Sequence, residues 1–299
     1  MTDTTDFFLA SVEPHIRTEG RMLFEIDGRR LDINLQHPHE RAYAAKLLFK
    51  AKHPQSDVDA FLLQRFVRPG DAVLDAGANI GFTAIEMLQA GARTVLAVEP
   101  VPSICQRLRS IEGRGVRAIN RAISSNIGNA PLILSTLHNQ GSSLKKEITE
   151  VFPTVFGETH QTVEVQLTTI DLLTETFGHL DVWKLDVEGA EADALRGAKH
   201  TLSTNPPRVI IAELYDRFYD EFHQLVLPTH PFAYRAFITR EGYELVLKDP
   251  STQPTDEMHH TSPMYVFLAE SATNTGTTSA ESKSSWLRRR LESVLKASS

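Results

Sequence analysis

Residues 72–81 read AVLDAGANIG, a short apolar run that leads into an acid and two glycines spaced four residues apart. An apolar run of this length, bounded by turn residues, is typical of a strand buried on both faces of a sheet. The segment FTAIEMLQAG follows directly and reads as a helix. This order of strand, glycine turn and helix predicts the first unit of a doubly wound α/β domain, in which ligands bind at the carboxyl ends of the strands.

The same alternation of strands and helices continues along the chain, which predicts a mostly parallel sheet covered on both faces. YELVLK (243–248) and MYVFLAE (264–270), near the end, are expected to pair as a final antiparallel hairpin. The stretch from residue 124 to about 161 is expected to be irregular. The other predicted strands are TVLAVEP (94–100), VRAIN (116–120), TVEVQLTTI (162–170), VWKLDVEG (182–189) and PPRVIIAEL (206–214).

Three regions differ in composition and predict the domain organisation. Residues 1–56 are expected to form an N-terminal extension with a hairpin at Asp27-Gly28. The α/β domain is expected over residues 57–270. Residues 271–299 begin as a small, polar linker and end in WLRRRLESVLKASS, a short basic amphipathic helix. This helix, over residues 285–297, predicts peripheral contact with a membrane or with another subunit, with disorder as the alternative.

Charge and cysteine content limit the classes of function. The net charge of −7 gives no electrostatic reason to expect a nucleic-acid partner. The single cysteine, Cys105, allows no intrachain disulfide and no cysteine-based zinc site, and it is expected to be a buried thiol. No His/Asp cluster has convincing metal-ligand spacing, so no metal is predicted. The acidic N-terminus does not resemble a signal peptide and no apolar stretch approaches a membrane span, so a cytoplasmic location is expected.

The glycine loop carries the most specific chemical signal. Gly77 and Gly81 let the backbone turn sharply and approach a ligand closely. The amides at the start of the following helix favour a carboxylate. Asp75 would repel the phosphates of a dinucleotide but attract the ammonium of an amino acid, and G-x-x-x-G departs from the nicotinamide-type G-x-G-x-x-G. Together these features favour S-adenosylmethionine, which carries a methionine group, as the ligand.

Two later strand ends complete the expected binding site. Glu99 ends the next strand, where a carboxylate can accept both hydroxyls of an adenosine ribose. A nicotinamide-binding fold also places an acid there, so Glu99 alone indicates only a nucleoside. Asn120 to Ala122 follow the third strand at the level expected for an adenine, and a plain turn is the alternative.

The end of the fourth strand, LDVEGAE (185–191), brings several carboxylates to the same edge. Asp186 is expected on the floor of the crevice, beside the methyl group of the ligand. Glu188 is a second acid at the same strand end. Glu191 is expected to cap the next helix. The candidate general bases are Asp186, Glu188, Glu213, His138 and His160.

The motifs GANIG, VEP, QGSSL and KLDVEGAEADALRGA, followed by IIAEL, resemble the FkbM-type methyltransferase family from about Phe61 to Leu268. This resemblance implies the class I methyltransferase, Rossmann-like fold, with a mostly parallel seven-stranded sheet. It also implies transfer of a methyl group from S-adenosylmethionine to a hydroxyl of a sugar, a glycan or a small natural product. By position, the residues expected to bind the donor are Asp75, Gly77, Asn79, Gly81 and Glu99, with Asp186 and Glu188 at the reaction centre.

Three other functions fit parts of the same pattern. A methyltransferase that acts on RNA or protein would use the same donor site, although the acidic composition disfavours RNA. A degenerate domain that binds adenosine compounds without catalysis would keep the fold. Its donor-binding residues would not need to be intact, whereas in this sequence they are intact, which counts against this alternative. A nicotinamide oxidoreductase is the remaining alternative, and it would bind NAD.

Overall fold

The computed structural model of the chain describes residues 8–135, 141–151 and 161–271. Two candidate bases, His138 and His160, lie outside these residues. The basic helix expected at residues 285–297 also lies outside them, so its contact with a membrane or a subunit stays a prediction.

Fourteen strands and ten α-helices are present in the described part of the chain. In chain order the strands are β1 (Arg21–Ile26), β2 (Arg29–Asn34), β3 (Ala72–Ala76), β4 (Thr94–Val98), β5 (Val116–Ile119), β6 (Ala122–Ile123), β7 (Gly128–Leu134), β8 (Ser142–Ser143), β9 (Gln161–Thr168), β10 (Val182–Leu185), β11 (Val209–Glu213), β12 (Phe232–Ile238), β13 (Leu245–Lys248) and β14 (Met264–Leu268). The helices are α1 (Leu9–Val12), α2 (Pro38–Phe49), α3 (Pro54–Phe66), α4 (Phe82–Ala90), α5 (Pro102–Leu108), α6 (Lys146–Val151), α7 (Ile170–Phe177), α8 (Glu191–Arg196), α9 (Lys199–Thr204) and α10 (Asp216–Val226).

The main sheet has eight strands in the order β13-β12-β14-β11-β10-β3-β4-β5. The five strands from β11 to β5 pair in parallel, whereas β14, β12 and β13 are added by antiparallel pairing. This arrangement confirms the predicted doubly wound, mostly parallel sheet. The chain runs outward from β3 through β4 to β5 and then crosses to β10 on the other side of β3. The strand order reverses at this point, which is where such sheets open a ligand crevice.

The end of the sheet differs from the expectation. YELVLK and MYVFLAE contain β13 and β14, but β12 lies between them and pairs with both. The predicted hairpin of these two segments is therefore wrong, and the sheet has one strand more than the seven expected. In β12, Arg235 interrupts an otherwise apolar run, yet its side chain is 7% exposed and its guanidinium lies 5.6 Å from the ring centre of Tyr265. A charged residue in the strand suggests exposure to solvent, but here the cation is covered by an aromatic ring, so the strand is more buried than its sequence suggests.

A second sheet, in the order β6-β9-β7-β8, occupies part of the region that was expected to be irregular. β7 pairs antiparallel with β9 along its whole length, from Gly128 opposite Leu167 to Leu134 opposite Gln161. β9 corresponds to the predicted strand TVEVQLTTI. β6 follows β5 directly, so this small sheet lies beside the carboxyl edge of the main one.

Two apolar layers cover the main sheet. On β3, Val73 belongs to the layer that contains α2, α3, α4 and α5, whereas Leu74 belongs to the layer that contains α7, α8, α9 and α10. Cys105 in α5 is a buried free thiol, as predicted. None of the described helices is both long enough and apolar enough to cross a membrane.

Helix α3 is held by residues that lie far from it along the chain. Asp57 accepts a hydrogen bond from the Tyr243 hydroxyl at 2.7 Å and pairs with Lys46 at 2.9 Å. Gln55 Oε1 accepts the amide of Ser262 at 2.6 Å. These contacts join the N-terminal part of the chain to the segments around β13 and β14, and they set the position of α3 beside the crevice.

Candidate active site

A cavity of about 530 Å³ lies at the carboxyl ends of the parallel strands, within the size range of small-molecule sites. The predicted site residues that line it are Gly77, Asn79, Glu99, Ala122, Asp186 and Glu188. The other three predicted residues, Asp75, Gly81 and Asn120, are not part of its lining. The structure therefore brings most of the predicted site together around one cavity.

The loop of residues 77–81, called the glycine loop below, lies against the ends of two neighbouring strands. The amides of Gly77 and Ala78 donate to the Val98 carbonyl oxygen at 2.9 and 3.0 Å. Gly77 has a φ of +84°, and a Cβ at this position would lie 1.9 Å from the backbone oxygen of Asp186. Only glycine can let the loop pass so close to the end of β10.

The glycine loop leads directly into α4. Gly81 precedes this helix with a φ of +90°, and a Cβ there would lie 2.2 Å from Cδ1 of Ile111, so its role is in packing. Phe82 and Thr83, the first two residues of α4, line the cavity. The first amides of a helix have no acceptor within the helix, so they can bind an anionic group of a ligand.

Glu99 lies at the rim of the cavity, just after β4. Its Oε2 accepts the amide of Asn79 at 3.0 Å, and its Oε1 accepts the amide of Val101 at 2.8 Å. Burial raises the pKa of Glu99 to about 7, and the two backbone hydrogen bonds oppose this rise. The remaining lone pairs of the carboxylate can accept hydrogen bonds from a ligand.

The segment after β5 holds the Glu99 loop in place. Asn120 Nδ2 donates to the carbonyl oxygens of Glu99 and Pro100, both at 2.9 Å. Asn120 therefore supports the loop from behind, whereas its neighbours Arg121 and Ala122 line the cavity. Arg121 was not singled out from the sequence.

Asp75 is completely buried behind the cavity wall. It pairs in parallel register with Lys184 of β10, so both side chains project from the same face of the sheet. Within the described residues, neither carboxylate oxygen of Asp75 has a hydrogen-bond partner. Burial raises the pKa of Asp75 to about 7, although the nearby Lys184 opposes the rise.

Three carboxylates, Asp186, Glu188 and Glu213, line the same cavity as the glycine loop, and we call them the carboxylate cluster. Lys184 Nζ donates to Asp186 Oδ2 at 2.8 Å. The Tyr215 hydroxyl donates to Glu188 Oε2 at 3.0 Å. β10 ends at Leu185, Glu188 has a φ of +52°, and both Asp186 and Glu188 line the cavity.

Desolvation is the main electrostatic effect on the carboxylate cluster. It raises the pKa of Glu188 to about 8, and the charge of Asp186 adds to the rise. It raises the pKa of Glu213 as well, again with a contribution from Asp186. Glu191, the first residue of α8, instead accepts the amides of Val187 and Gly189, in the turn before the helix, at 3.0 and 3.2 Å.

The cavity wall also contains residues that precede β3, which the sequence interpretation missed. Gln55, Ser56 and Asp59 lie on one face of α3 and line the cavity, as do His39 and Tyr43 from α2. The i, i+1, i+4 spacing of these α3 residues puts polar side chains on one face of the helix, and this pattern could have indicated that they face a cavity. Desolvation raises the pKa of Asp59 to about 6; Asp186 and Glu86 add to the rise and Lys184 opposes it.

No group of three or more His, Cys, Asp and Glu side chains is arranged to hold a metal ion within residues 8–135, 141–151 and 161–271.

S-adenosylmethionine fits the residues that line this cavity. The amides at the start of α4 suit its carboxylate, the Glu99 carboxylate suits its ribose hydroxyls, and the acidic wall suits its positive charges. The fold and the cavity define a class I S-adenosylmethionine-dependent methyltransferase. The family model of the methyltransferase FkbM domain matches residues 75–245, more than half of the chain, and the chain belongs to this family.

Comparison with solved structures gave many similar chains at low sequence identity. One is the FkbM methyltransferase of Methylobacillus flagellatus KT, with 15% identity and a TM-score of 0.45 over 78% of this chain and 52% of that chain. The present chain thus spans about half the length of that protein. Another is Aeropyrum pernix fibrillarin in complex with natively bound S-adenosylmethionine, with 12% identity and a TM-score of 0.36 over 86% of each chain. No curated protein matched.

Proposed function

We propose that this methyltransferase transfers the methyl group of S-adenosylmethionine to a hydroxyl of a sugar, a glycan or a small natural product. The observation that carries this proposal is the carboxylate cluster, which lines the same cavity as the glycine loop. A hydroxyl must lose its proton when it is methylated, and a carboxylate in this position can accept that proton.

The donor-side residues hold and orient the ligand. The first amides of α4 bind the methionine carboxylate, and Glu99 accepts hydrogen bonds from the ribose hydroxyls. Asn79 and Ala122 complete the wall around the nucleoside. S-adenosylmethionine supplies an activated methyl group on a sulfonium centre.

Glu188 is the best-placed general base in the described part of the site. With a pKa of about 8, its ionised form is a stronger base than an ordinary carboxylate, and Tyr215 holds one of its oxygens by a hydrogen bond. A general base works best when its pKa lies near the working pH. Asp186, fixed by Lys184, accepts a hydrogen bond from the acceptor hydroxyl and orients it toward the donor.

The charge of the wall favours a neutral acceptor over a nucleic acid. Three carboxylates, Asp186, Glu188 and Glu213, line the cavity on the acceptor side, and the buried Lys184 lines it with them. A phosphate backbone would be repelled here, whereas a polyol can donate a hydrogen bond to every carboxylate.

The test is to incubate the protein with methyl-labelled S-adenosylmethionine and three pools of acceptors: neutral glycosides and polyols, total RNA, and unfolded protein. We expect label in the first pool, and none with Glu188→Gln, which keeps the shape of the side chain. Transfer to RNA or protein alone would refute the proposed acceptor class. Donor binding without transfer to any pool would support the non-catalytic alternative instead.

A further inference from the structure

The ammonium group of S-adenosylmethionine needs an acidic partner in the cavity wall. The sequence assigned this role to Asp75, the acid at the end of β3. In the structure Asp75 is 0% exposed and does not line the cavity, so it cannot contact a ligand there without a change in the strand. A carboxylate that does line the cavity is therefore better placed to receive the ammonium.

Asp59 has the properties that this partner requires. It lies on α3, lines the cavity, and has a buried Oδ1 without a hydrogen-bond partner in the described part of the chain. The charge that most favours the ionised form of Asp59 is that of Lys184. The Lys184 ammonium, however, donates its hydrogen bond to Asp186. A buried carboxylate oxygen without a donor is costly, and a ligand ammonium would supply one.

Asp59 shares the cavity wall with the first residues of α4. The Tyr43 ring stacks on the Phe82 ring at 4.1 Å, at the first residue of α4. Asp59 and Tyr43 line the same cavity as Phe82 and Thr83. The carboxylate and ammonium of an amino acid are bonded to one carbon atom. A carboxylate bound by the amides of Phe82 and Thr83 therefore has its ammonium within reach of this region.

We infer that Asp59, on a helix that precedes the family-matched residues 75–245, receives the ammonium of S-adenosylmethionine. Asp75 then serves the fold, as a partner of Lys184 beneath the cavity. This inference rests on the donor-binding part of the proposed function and is independent of the acceptor.

The experiment compares two nucleosides by calorimetric titration. S-adenosylhomocysteine carries the amino-acid group, whereas 5′-methylthioadenosine has the same adenosine and thioether without it. Asp59→Asn should weaken S-adenosylhomocysteine binding about 10- to 100-fold, because a charge-assisted hydrogen bond is lost. Its affinity for 5′-methylthioadenosine should stay within about two-fold.

Glu86→Gln is the matched control. Glu86 belongs to the same buried group of charges and pairs with Lys46 at 3.4 Å, but it does not line the cavity. Its substitution removes the same unit of charge as Asp59→Asn, so it should leave both affinities within about two-fold. Thermal unfolding of each variant checks that the fold is retained.

A second measurement uses only the wild-type protein. S-adenosylhomocysteine should bind at least about 10-fold more tightly than its deaminated analogue, which keeps the carboxylate and lacks the ammonium. Equal affinities for these two compounds, or equal losses for both nucleosides in Asp59→Asn, would overturn the inference. Wild-type protein that binds 5′-methylthioadenosine but not S-adenosylhomocysteine would also overturn it. Failure to bind any of these nucleosides would refute the proposed donor site as a whole.

Discussion

The ammonium of Lys184 lies 2.8 Å from Oδ2 of Asp186, two residues further along the chain, and the lysine side chain is 3% exposed. The charges of Asp59 and Asp75 also act on this lysine and raise its pKa, against the opposing effect of burial. The buried Lys184 therefore balances three carboxylates: Asp75 below the cavity, Asp59 in the wall contributed by α3, and Asp186 on the floor. This balance connects the stability of the fold to the chemistry of the site.

Lys184→Met should lower the free energy of unfolding by about 3–5 kcal/mol, because the buried carboxylates would lose their counter-charge. Urea unfolding measures the loss. The control is Lys145→Met, which removes the partner of Asp193; Lys145 is 36% exposed, and its loss should cost less than about 1 kcal/mol. Similar losses for the two variants would show that the buried cation is not a main support of the fold.

Gly77→Ala should destabilise the protein far more than a substitution at another glycine with a similar backbone. The new Cβ would collide with the Asp186 backbone oxygen, whereas at Gly70, with a φ of +96°, nothing lies within 4 Å. Gly70→Ala should therefore cost only the backbone strain of about 1–2 kcal/mol. Gly77→Ala should cost about 1–3 kcal/mol more, measured by urea unfolding. Equal losses in the free energy of unfolding for the two variants would mean that the glycine loop is not closely packed against the end of β10.

Glu99→Gln should weaken S-adenosylhomocysteine binding about 10- to 100-fold, since a neutral amide replaces the carboxylate that accepts the ribose hydroxyls. Calorimetry gives the affinity, and thermal unfolding checks the loop that Glu99 holds through Asn79 and Val101. Glu164→Gln, at an exposed position of β9, is the control and should change nothing. An unchanged affinity in folded Glu99→Gln would remove Glu99 from the donor site.

Donor affinity should depend on pH through the same carboxylate. Burial raises the pKa of Glu99 to about 7, and only the ionised form accepts both ribose hydroxyls. A proton therefore competes with the ligand below pH 7, so the affinity for S-adenosylhomocysteine should rise between pH 6 and pH 8. The rise should be smaller in Glu99→Gln. An identical pH profile in both proteins would assign the proton to another group.

Glu188→Gln should reduce turnover by roughly 10²- to 10⁴-fold and leave the donor affinity within several-fold, since it removes a general base. In the wild type, kcat/KM should rise with pH through about 8, the pKa to which desolvation and then Asp186 raise this carboxyl. Asp186→Asn should also cut turnover with little effect on donor affinity, and it should move the rising limb to lower pH because a like charge is lost. The assay uses an acceptor from the labelled-donor experiment. Near wild-type turnover in Glu188→Gln would mean that another group, such as Glu213 or His138, is the base.

Local patterns were enough to predict the sheet and the cavity edge. The apolar run ending at Asp75, the glycines that follow it and the acid at Glu99 each depend on a few neighbouring residues. The parallel topology then brings these strand ends together at one edge. The carboxylates after β10 were predicted on the same grounds.

What the sequence did not reveal depends on contacts between distant segments. The face on which Asp75 lies depends on its register with Lys184, more than 100 residues later. The Glu188 backbone adopts a left-handed conformation that is uncommon for residues other than glycine, and the strand pattern gave no sign of it. The order of β12, β13 and β14 follows from packing across the sheet edge and not from their spacing in the chain.

The contacts of α3 have a consequence for the order in which the site assembles. This helix is synthesised before every strand of the main sheet, yet its bonds to Tyr243 and Ser262 join residues 186 and 207 positions apart. Contacts between such distant residues are slow to form and come after local structure. The wall that carries Asp59 is thus completed only when nearly all of the described chain has left the ribosome. A nascent chain that stops before residue 262 lacks Ser262, which lines the cavity and donates to Gln55, so its pocket is incomplete until that residue has been synthesised.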